Sequence, residues 1–248
     1  MEYEVFTVER DGDGTAIVWL DRPEKLNAMG PTFFAELPLV LSELDADPEI
    51  EVCILSGRGR AFSAGGDIAS FEALSDVESY RRHIRRVYAA FHAVEQCEVP
   101  VIGAVNGIAY GGGTELALAC DLVIASERAR FAFREATVGL MPGYGVVRGP
   151  DVIGRHWTRW LALTADIVDA ETALRIGLVQ RLVADDELLD EARAVAARIR
   201  ANASLAVRAG KQFINRATND GFAESVEATS LLFTTAEHKR RIRQFLER

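Results

Sequence analysis

The stretch VPVIGAVNGIAYGGGTELALACDLVIAS, residues 99–126, decides the fold. It opens on an aliphatic run, VIGAV from Val101, and passes through Gly107 and the triplet Gly111, Gly112 and Gly113. Apolar residues then recur at helical spacing over 114–119, and a second aliphatic run, LVIA, begins at Leu122. A short apolar run bounded by glycine reads as a strand buried on both faces, and strand, helix and strand in succession is the pattern of an α/β fold.

Working outward, three further strand-like runs stand at TAIVWL from Thr15, VCILS from Val52 and VQRLV from Val179, with helical patterns over 31–44 and 77–95. From Asp185 onward no strand-like run occurs, and apolar residues fall at helical spacing to the C-terminus. That stretch is rich in Leu, Val, Ile and Phe, a surface that the core or another subunit must cover.

Composition excludes several classes. The 248 residues are 49% hydrophobic and 26% charged, values of an ordinary globular chain. The three cysteines, Cys53, Cys97 and Cys120, form no C-x-x-C pair, which argues against a disulfide framework or a zinc knuckle and for a reducing, cytoplasmic setting. The acidic start MEYEVFTVERDGDG has no apolar core of a signal peptide, and no apolar run reaches the ~18 residues of a membrane span. The net charge of −9 repels polyanions, so neither nucleic acid nor a membrane is an expected partner. Short basic clusters at Arg22 and Lys25, at Arg58 and Arg60, and at Lys239, Arg240 and Arg241 still leave room for a small anionic ligand.

Familiar motifs fail on their spacing. Gly57-Arg-Gly59 and Gly143-Tyr-Gly145 lack the third glycine of a dinucleotide fingerprint, having Phe62 and Arg148 in its place, and Gly210-Lys211 lacks the glycine of a phosphate loop. Ser63 lacks the glycine before a nucleophile elbow. His83, His92, His156 and His238 contain no i,i+4 pair, so no metal is expected.

Two glycine-rich segments remain, each following a strand and leading into a helix: FSAGGDI (62–68) and GIAYGGGTELALACD (107–121). Glycines there leave backbone N–H groups open to a ligand, at an end of the helix whose dipole favours negative charge. Two such junctions face to face would make an oxyanion hole, although each alone is also explained by tight turns and close packing. Glu115 lies in the first turn of the second helix, where it also complements the dipole, and Glu135 follows in FAFREATVGLMPG, where a salt bridge to Arg134 is the plain alternative. Together, one ionised and one protonated, they are able to move a proton and a water at adjacent carbons.

With RPEKLNAM (22–29), FSAGGDI, residues 99–142 and ADIVDAETALRIGLVQRLV (165–183), the chain resembles the crotonase superfamily, and within it the enoyl-CoA hydratases. The resemblance implies a spiral of ββα units over 1–190, carrying the CoA and catalytic sites, and a helical module over 191–248 that assembles trimers or hexamers. It implies that the N–H groups of Gly66 and Gly112 bind a thioester oxygen, that Glu115 activates water and that Glu135 protonates C2. Coenzyme A, part of the substrate rather than a bound cofactor, would run along Lys25, Asn27, Ala28, Ala64, Asp67 and Ile68. Lys239 to Arg241 would reach a neighbouring subunit's ligand.

The sequence departs from the family pattern after Glu135. Many family hydratases read Gly-Gly-Thr-Gln-Arg there, whereas this chain reads Pro142-Gly-Tyr-Gly-Val-Val-Arg148, so Tyr144 is expected to narrow or polarise the acyl pocket. Tyr80, Tyr88 and Phe91 are expected in the core or at that pocket, and Arg81, Arg82, Arg85 and Arg86 on a solvated face or facing an acidic acyl group. The resemblance leaves enoyl-CoA isomerisation, hydrolysis of a β-keto acyl-CoA and non-catalytic acyl-CoA binding as rivals to hydration.

Overall fold

Each turn of the chain lays one strand in each of two sheets. The computed structural model describes residues 2–73, 76–215 and 236. The larger sheet holds β1 (Phe6–Arg10), β2 (Thr15–Leu20), β3 (Val52–Gly57), β5 (Val101–Val105), β7 (Leu122–Ser126) and β10 (Arg181–Val183), neighbours in that order. The smaller holds β4 (Ala61–Ser63), β6 (Ile108–Tyr110), β8 (Arg130–Ala132) and β9 (Val168–Asp169). Among the described residues only the β1–β2 hairpin and the β8–β9 pair are antiparallel. The pairs β3/β4, β5/β6 and β7/β8 therefore repeat one spiral step. Helices α1 (Pro31–Ala46), α2 (Val77–Gln96) and α3 (Gly112–Ala119) fill the intervals.

Local chemistry sets the boundaries. Asp11-Gly12-Asp13-Gly14 turns the β1–β2 hairpin, with both glycines at positive φ and Asp13 Oδ1 accepting from the Thr15 N–H at 3.0 Å. Pro31 starts α1 at a position where its missing N–H costs nothing. Asp76 and Ser79 cap α2 reciprocally.

The central strands are apolar throughout because both faces are covered. Ala16, Val18, Leu20, Cys53 and Leu55 join the core beneath α1 and α2. The alternate residues Ile17, Trp19, Val52 and Ile54 pack with Ile102 and Ile124 against Leu188, Ala192 and Ala196 of α7 (Leu188–Arg200). The expected boundary at 190/191 thus falls inside a helix that covers the main sheet.

Helices α4 (Gly145–Val152), α5 (Gly154–Thr164) and α6 (Ala170–Arg175) connect β8 to β10, and α8 (Ser204–Asn215) follows α7. Lys211 docks α8, its Nζ 2.7 Å from Asp121 Oδ2 and donating to the carbonyls of Val94 and Val99. Among the described residues no helix is long and apolar enough to cross a membrane.

The five strand runs and three helices read from the sequence are present, although the run from Val179 becomes strand only at Arg181. The strands β1, β4, β6, β8 and β9 and helices α4, α5 and α6 were not anticipated. Most are three residues or shorter or mixed in polarity, too little for periodicity to register.

Candidate active site

The two glycine junctions meet backbone to backbone. The Met29 N–H donates to the Gly65 carbonyl at 2.8 Å and the Asp67 N–H to the Met29 carbonyl at 2.9 Å, an isolated parallel bridge. In that pairing the residues either side of Gly66 make the bonds, so its own N–H faces away from Met29. Gly112 is the first residue of α3, where the N–H has no partner within the helix.

A Cβ on Gly112 would lie 3.8 Å from the Gly66 nitrogen, so the two amides adjoin. Glycine is obligatory for this approach. Gly65 has φ +92°, and a Cβ there would stand 2.5 Å from the Tyr110 carbonyl oxygen, while one on Gly113 would stand 2.4 Å from that of Ser63.

One turn into α3, Glu115 is buried, with Oε1 accepting from the Gly145 N–H at 2.8 Å. Thr114 beside it ties α3 to the small sheet: its hydroxyl donates to the Ala109 carbonyl at 2.6 Å and accepts from the Ala132 N–H at 3.2 Å. The same sheet places Glu135, three residues beyond β8, at the head of a 3-10 turn, Glu135–Val138. Glu135 Oε1 lies 2.8 Å from where a Cβ of Gly111 would stand, and its buried Oε2 has no hydrogen-bond partner among the described residues.

Burial, and after it the Glu135 charge, push the Glu115 carboxyl up to about 8; the N–H groups of Gly145 and Tyr144 pull the other way. Burial raises Glu135 as well. Two carboxyls in one desolvated chamber titrate as a pair, and at neutral pH the pair retains a proton. It is therefore able to supply an acid and a base at one place.

Both glutamates, Gly66 and Gly112 line one cavity of about 320 Å³. Its far wall is apolar, with Phe34 of α1, Ile84, Val87 and Phe91 of α2, and Leu140 and Met141 after the 3-10 turn. A larger cavity, of about 550 Å³, lies behind α3 beside Asp121 and Lys211, and neither Glu115 nor Glu135 lines it. The smaller cavity is the one that brings Glu115 and Glu135 together with Gly66 and Gly112.

The family model for enoyl-CoA hydratase/isomerase matches residues 10–248. The chain belongs to the enoyl-CoA hydratase/isomerase family. It is 37% identical to the crotonyl-CoA hydratase of Syntrophomonas wolfei, across 100% of this chain and 97% of that one. It is 36% identical to the short-chain-enoyl-CoA hydratase of Clostridium acetobutylicum over the same shares. Among solved structures, an enoyl-CoA hydratase of Mycobacterium smegmatis superposes with a TM-score of 0.94 at 30% identity, covering 98% of this chain and 96% of that one. The crotonase-type fold implied by the sequence is thereby established.

Seen as a member of this family, the chain brings Gly66, Gly112, Glu115, Glu135, Ala64 and Ile68 to one cavity. The other residues expected along coenzyme A lie in the adjoining loop in different states. Lys25 is half-exposed, its Nζ 4.0 Å from Asp67 Oδ2, and Arg22 approaches the same carboxylate at 3.6 Å. Asp67 thus stands as counter-ion to two cations.

Asn27 is buried and fully engaged. Its side chain donates to the Ala61 and Arg58 carbonyls and accepts from the Arg22 N–H, while its carbonyl accepts from the Ser63 hydroxyl. The Ala28 carbonyl takes a bond from the Arg22 guanidinium at 3.2 Å. Asn27 and Ala28 shape the loop through these bonds.

Two readings need correction. Tyr144 does not line the cavity: its ring packs on Phe91 with centroids 5.2 Å apart, and its hydroxyl is taken by Glu95. Glu135 is not paired with Arg134, whose guanidinium donates instead to the Ala165 carbonyl at 2.9 Å. Of the two readings of the basic residues on α2, the solvated face holds for Arg81 and Arg82, which lie against Glu78. Tyr80, Tyr88 and Phe91 do line the cavity. Lys239, Arg240 and Arg241 lie outside the described residues. Sequence reasoning missed Gly145 as the anchor of Glu115, because a backbone donor leaves no mark in residue type.

Proposed function

We propose that the protein is a 2-enoyl-CoA hydratase that adds water syn across the C2=C3 bond. The observation that carries this reading is the pair of glutamates, Glu115 buried and Glu135 half-buried, both with raised carboxyl pKa, beside two adjoining N–H groups in one cavity. The thioester oxygen sits between the Gly66 and Gly112 amides, where attack at C3 builds negative charge. Each such donor contributes roughly 3 kcal/mol to the transition state.

Glu115 takes a proton from the water whose oxygen bonds to C3, and Glu135 gives its proton to C2. The net change is one water added, and a proton passing from Glu115 to Glu135 restores the pair. Both carboxyls approach from one side of the bound thioester, which makes the addition syn.

Lys25 meets the phosphates of coenzyme A, and Ala64 and Ile68 flank its pantetheine arm near Asp67. Coenzyme A enters and leaves with the substrate, with no resident cofactor, and the setting is the cytoplasm. The exposed apolar side chains of Trp160 and Leu163 on α5, of Ile167 after it and of Ile214 on α8 support assembly into a trimer or a stacked pair of trimers, with residues 191–248 as the assembly module.

Product analysis tests the activity. Incubation with crotonyl-CoA in 18O-labelled water is expected to yield 3-hydroxybutyryl-CoA carrying the label at C3. Recovery of a shifted double bond, of free coenzyme A with a released acid, or of unchanged thioester on a protein that still binds it would instead favour isomerase, hydrolase or non-catalytic binding.

A further inference from the structure

The Gly145 N–H that meets Glu115 belongs to the peptide joining Tyr144 to Gly145, at the start of α4. No side chain caps that helix start. Its position is set instead by an ion cluster on the far side of α4. Glu95, in the last turn of α2, has a side chain only 10% exposed and receives Arg148 with both oxygens, Nε to Oε1 at 2.5 Å and a terminal nitrogen to Oε2 at 2.6 Å. The Tyr144 hydroxyl donates to Glu95 Oε1, and His92 Nδ1 lies 3.2 Å from Oε2. The Arg148 N–H closes the turn onto the Tyr144 carbonyl at 2.9 Å. From the other side the Phe133 ring stands 2.5 Å from where a Cβ on Gly145 would be, so the peptide is held from both directions.

Glu95, Tyr144 and Arg148 do not line the cavity that holds Glu115. A bidentate guanidinium–carboxylate pair fixes orientation as well as distance, and displacing a reacting group by about 1 Å can cost on the order of 10²-fold in rate. We propose that Glu95, Arg148 and Tyr144 are positioning residues for the reaction, holding the start of α4 so that the Gly145 N–H stays on the Glu115 carboxylate. For what kcat measures, the inference rests on the hydratase reading.

The groups facing Glu115 are Glu135 and, from α2, Tyr80 and Tyr88. Those facing Glu95 are Arg148, Tyr144 and His92, and Asp151 lies 4.0 Å from Arg148 on its outer side. Burial opposes ionisation of Glu95, but Arg148 and Tyr144 outweigh it and hold that carboxyl below its ordinary value. Tyr144→Phe removes one O–H donor and alters no formal charge. A change in the Glu115 titration would therefore report the placement of the peptide rather than a gained or lost formal charge.

The deciding measurement is titration of the Glu115 carboxyl by 13C NMR in the free protein, with Glu115→Gln to assign the signal. Loss of a hydrogen bond to the charged form raises a carboxyl pKa, so Tyr144→Phe is expected to move the midpoint upward. In parallel, kcat on crotonyl-CoA is expected to fall about tenfold with KM within about twofold, and Tyr144→Phe is expected to add no further loss in the Glu115→Gln background. A lower melting temperature with the Glu115 midpoint and kcat both unchanged would overturn the proposal and leave the cluster as packing alone. Arg148→Met is the stronger lesion, and where it fails to fold Tyr144→Phe decides. A wild type that hydrates no enoyl-CoA would sink the hydratase reading, while the titration would still judge the cluster.

Discussion

The Gly145 N–H stands 2.8 Å from Glu115 Oε1, so a carboxyl on α3 is held by the first peptide of α4, thirty residues further along the chain. Glu135, half-buried in the same cavity, has no comparable donor on its Oε2 among the described residues. This asymmetry separates two otherwise similar groups: a charge on Glu115 is received by an N–H, whereas Oε2 of Glu135 meets no such donor among the described residues.

The pH dependence follows from the pair. Hydration requires one charge and one proton between Glu115 and Glu135. Burial raises both carboxyls, so kcat is expected to rise on an acid limb lying above the ordinary 4.5. It is expected to fall as pH passes about 8, where the retained proton is lost. A kcat profile flat from pH 5 to about 10 would be incompatible with a coupled carboxyl pair as the acid and base.

Stability should run against activity at Glu115. Burial and the Glu135 charge raise its folded pKa from 4.5 to about 8, so between those values the folded state binds more protons than the unfolded one. Its contribution is then fully present below 4.5 and is lost as pH rises through about 8. Glu115→Gln removes the buried charge. Its melting temperature at pH 8 is expected to exceed the wild type's by roughly 2–4 °C or more, the gap closing toward pH 4. Equal melting temperatures at both pH values would contradict a strained ionised state.

Glycine substitutions should divide by geometry. Gly65→Ala forces a Cβ to within 2.5 Å of the Tyr110 carbonyl at a φ of +92°, at the junction where the two amides meet. A loss of about 1–3 kcal/mol or more in stability, together with loss of turnover, is expected. Gly210, within α8, has none of the described residues within 4 Å of its Cβ position, and Gly210→Ala should be neutral or stabilising by up to about 1 kcal/mol. Chemical denaturation of both variants checks the contrast.

Lys211, buried, and Asp121, half-buried, form a pair 2.7 Å apart outside the cavity that the two glutamates line. Lys211→Met would leave Asp121 without its cation and orphan two carbonyls. A destabilisation of about 3–5 kcal/mol is expected, with kcat per folded molecule unchanged. Reduced kcat in protein shown to be fully folded would mean that the docking of α8 reaches the active site.

Much of this architecture is legible in the sequence because its signals are strong and local. Four of the five aliphatic runs, β2, β3, β5 and β7, are strands buried on both faces and need no partner to be recognised, and the Gly111 to Gly113 triplet marks a helix start against another backbone. The short strands β4, β6 and β8 carry three residues each and gain their form only from pairing with one another.

At the site, side-chain chemistry points to Glu115 and Glu135, and glycine spacing points to Gly66 and Gly112. The anchoring of Glu115 by a Gly145 amide and the Arg148–Glu95 pair, 53 residues apart in sequence, have no local signature. Tyr144 misled for the same reason: an aromatic beside a pocket is told from one beneath it only by the path of the chain.

The central claim is that Glu115 and Glu135 act on one enoyl thioester as base and acid. It is tested most directly by the loss of conjugated-thioester absorbance when crotonyl-CoA is mixed with wild-type protein, Glu115→Gln or Glu135→Gln. The account predicts rapid hydration by the wild type and a fall in kcat of about 10²- to 10⁴-fold in each variant, with folding intact. Full activity in either variant would contradict it.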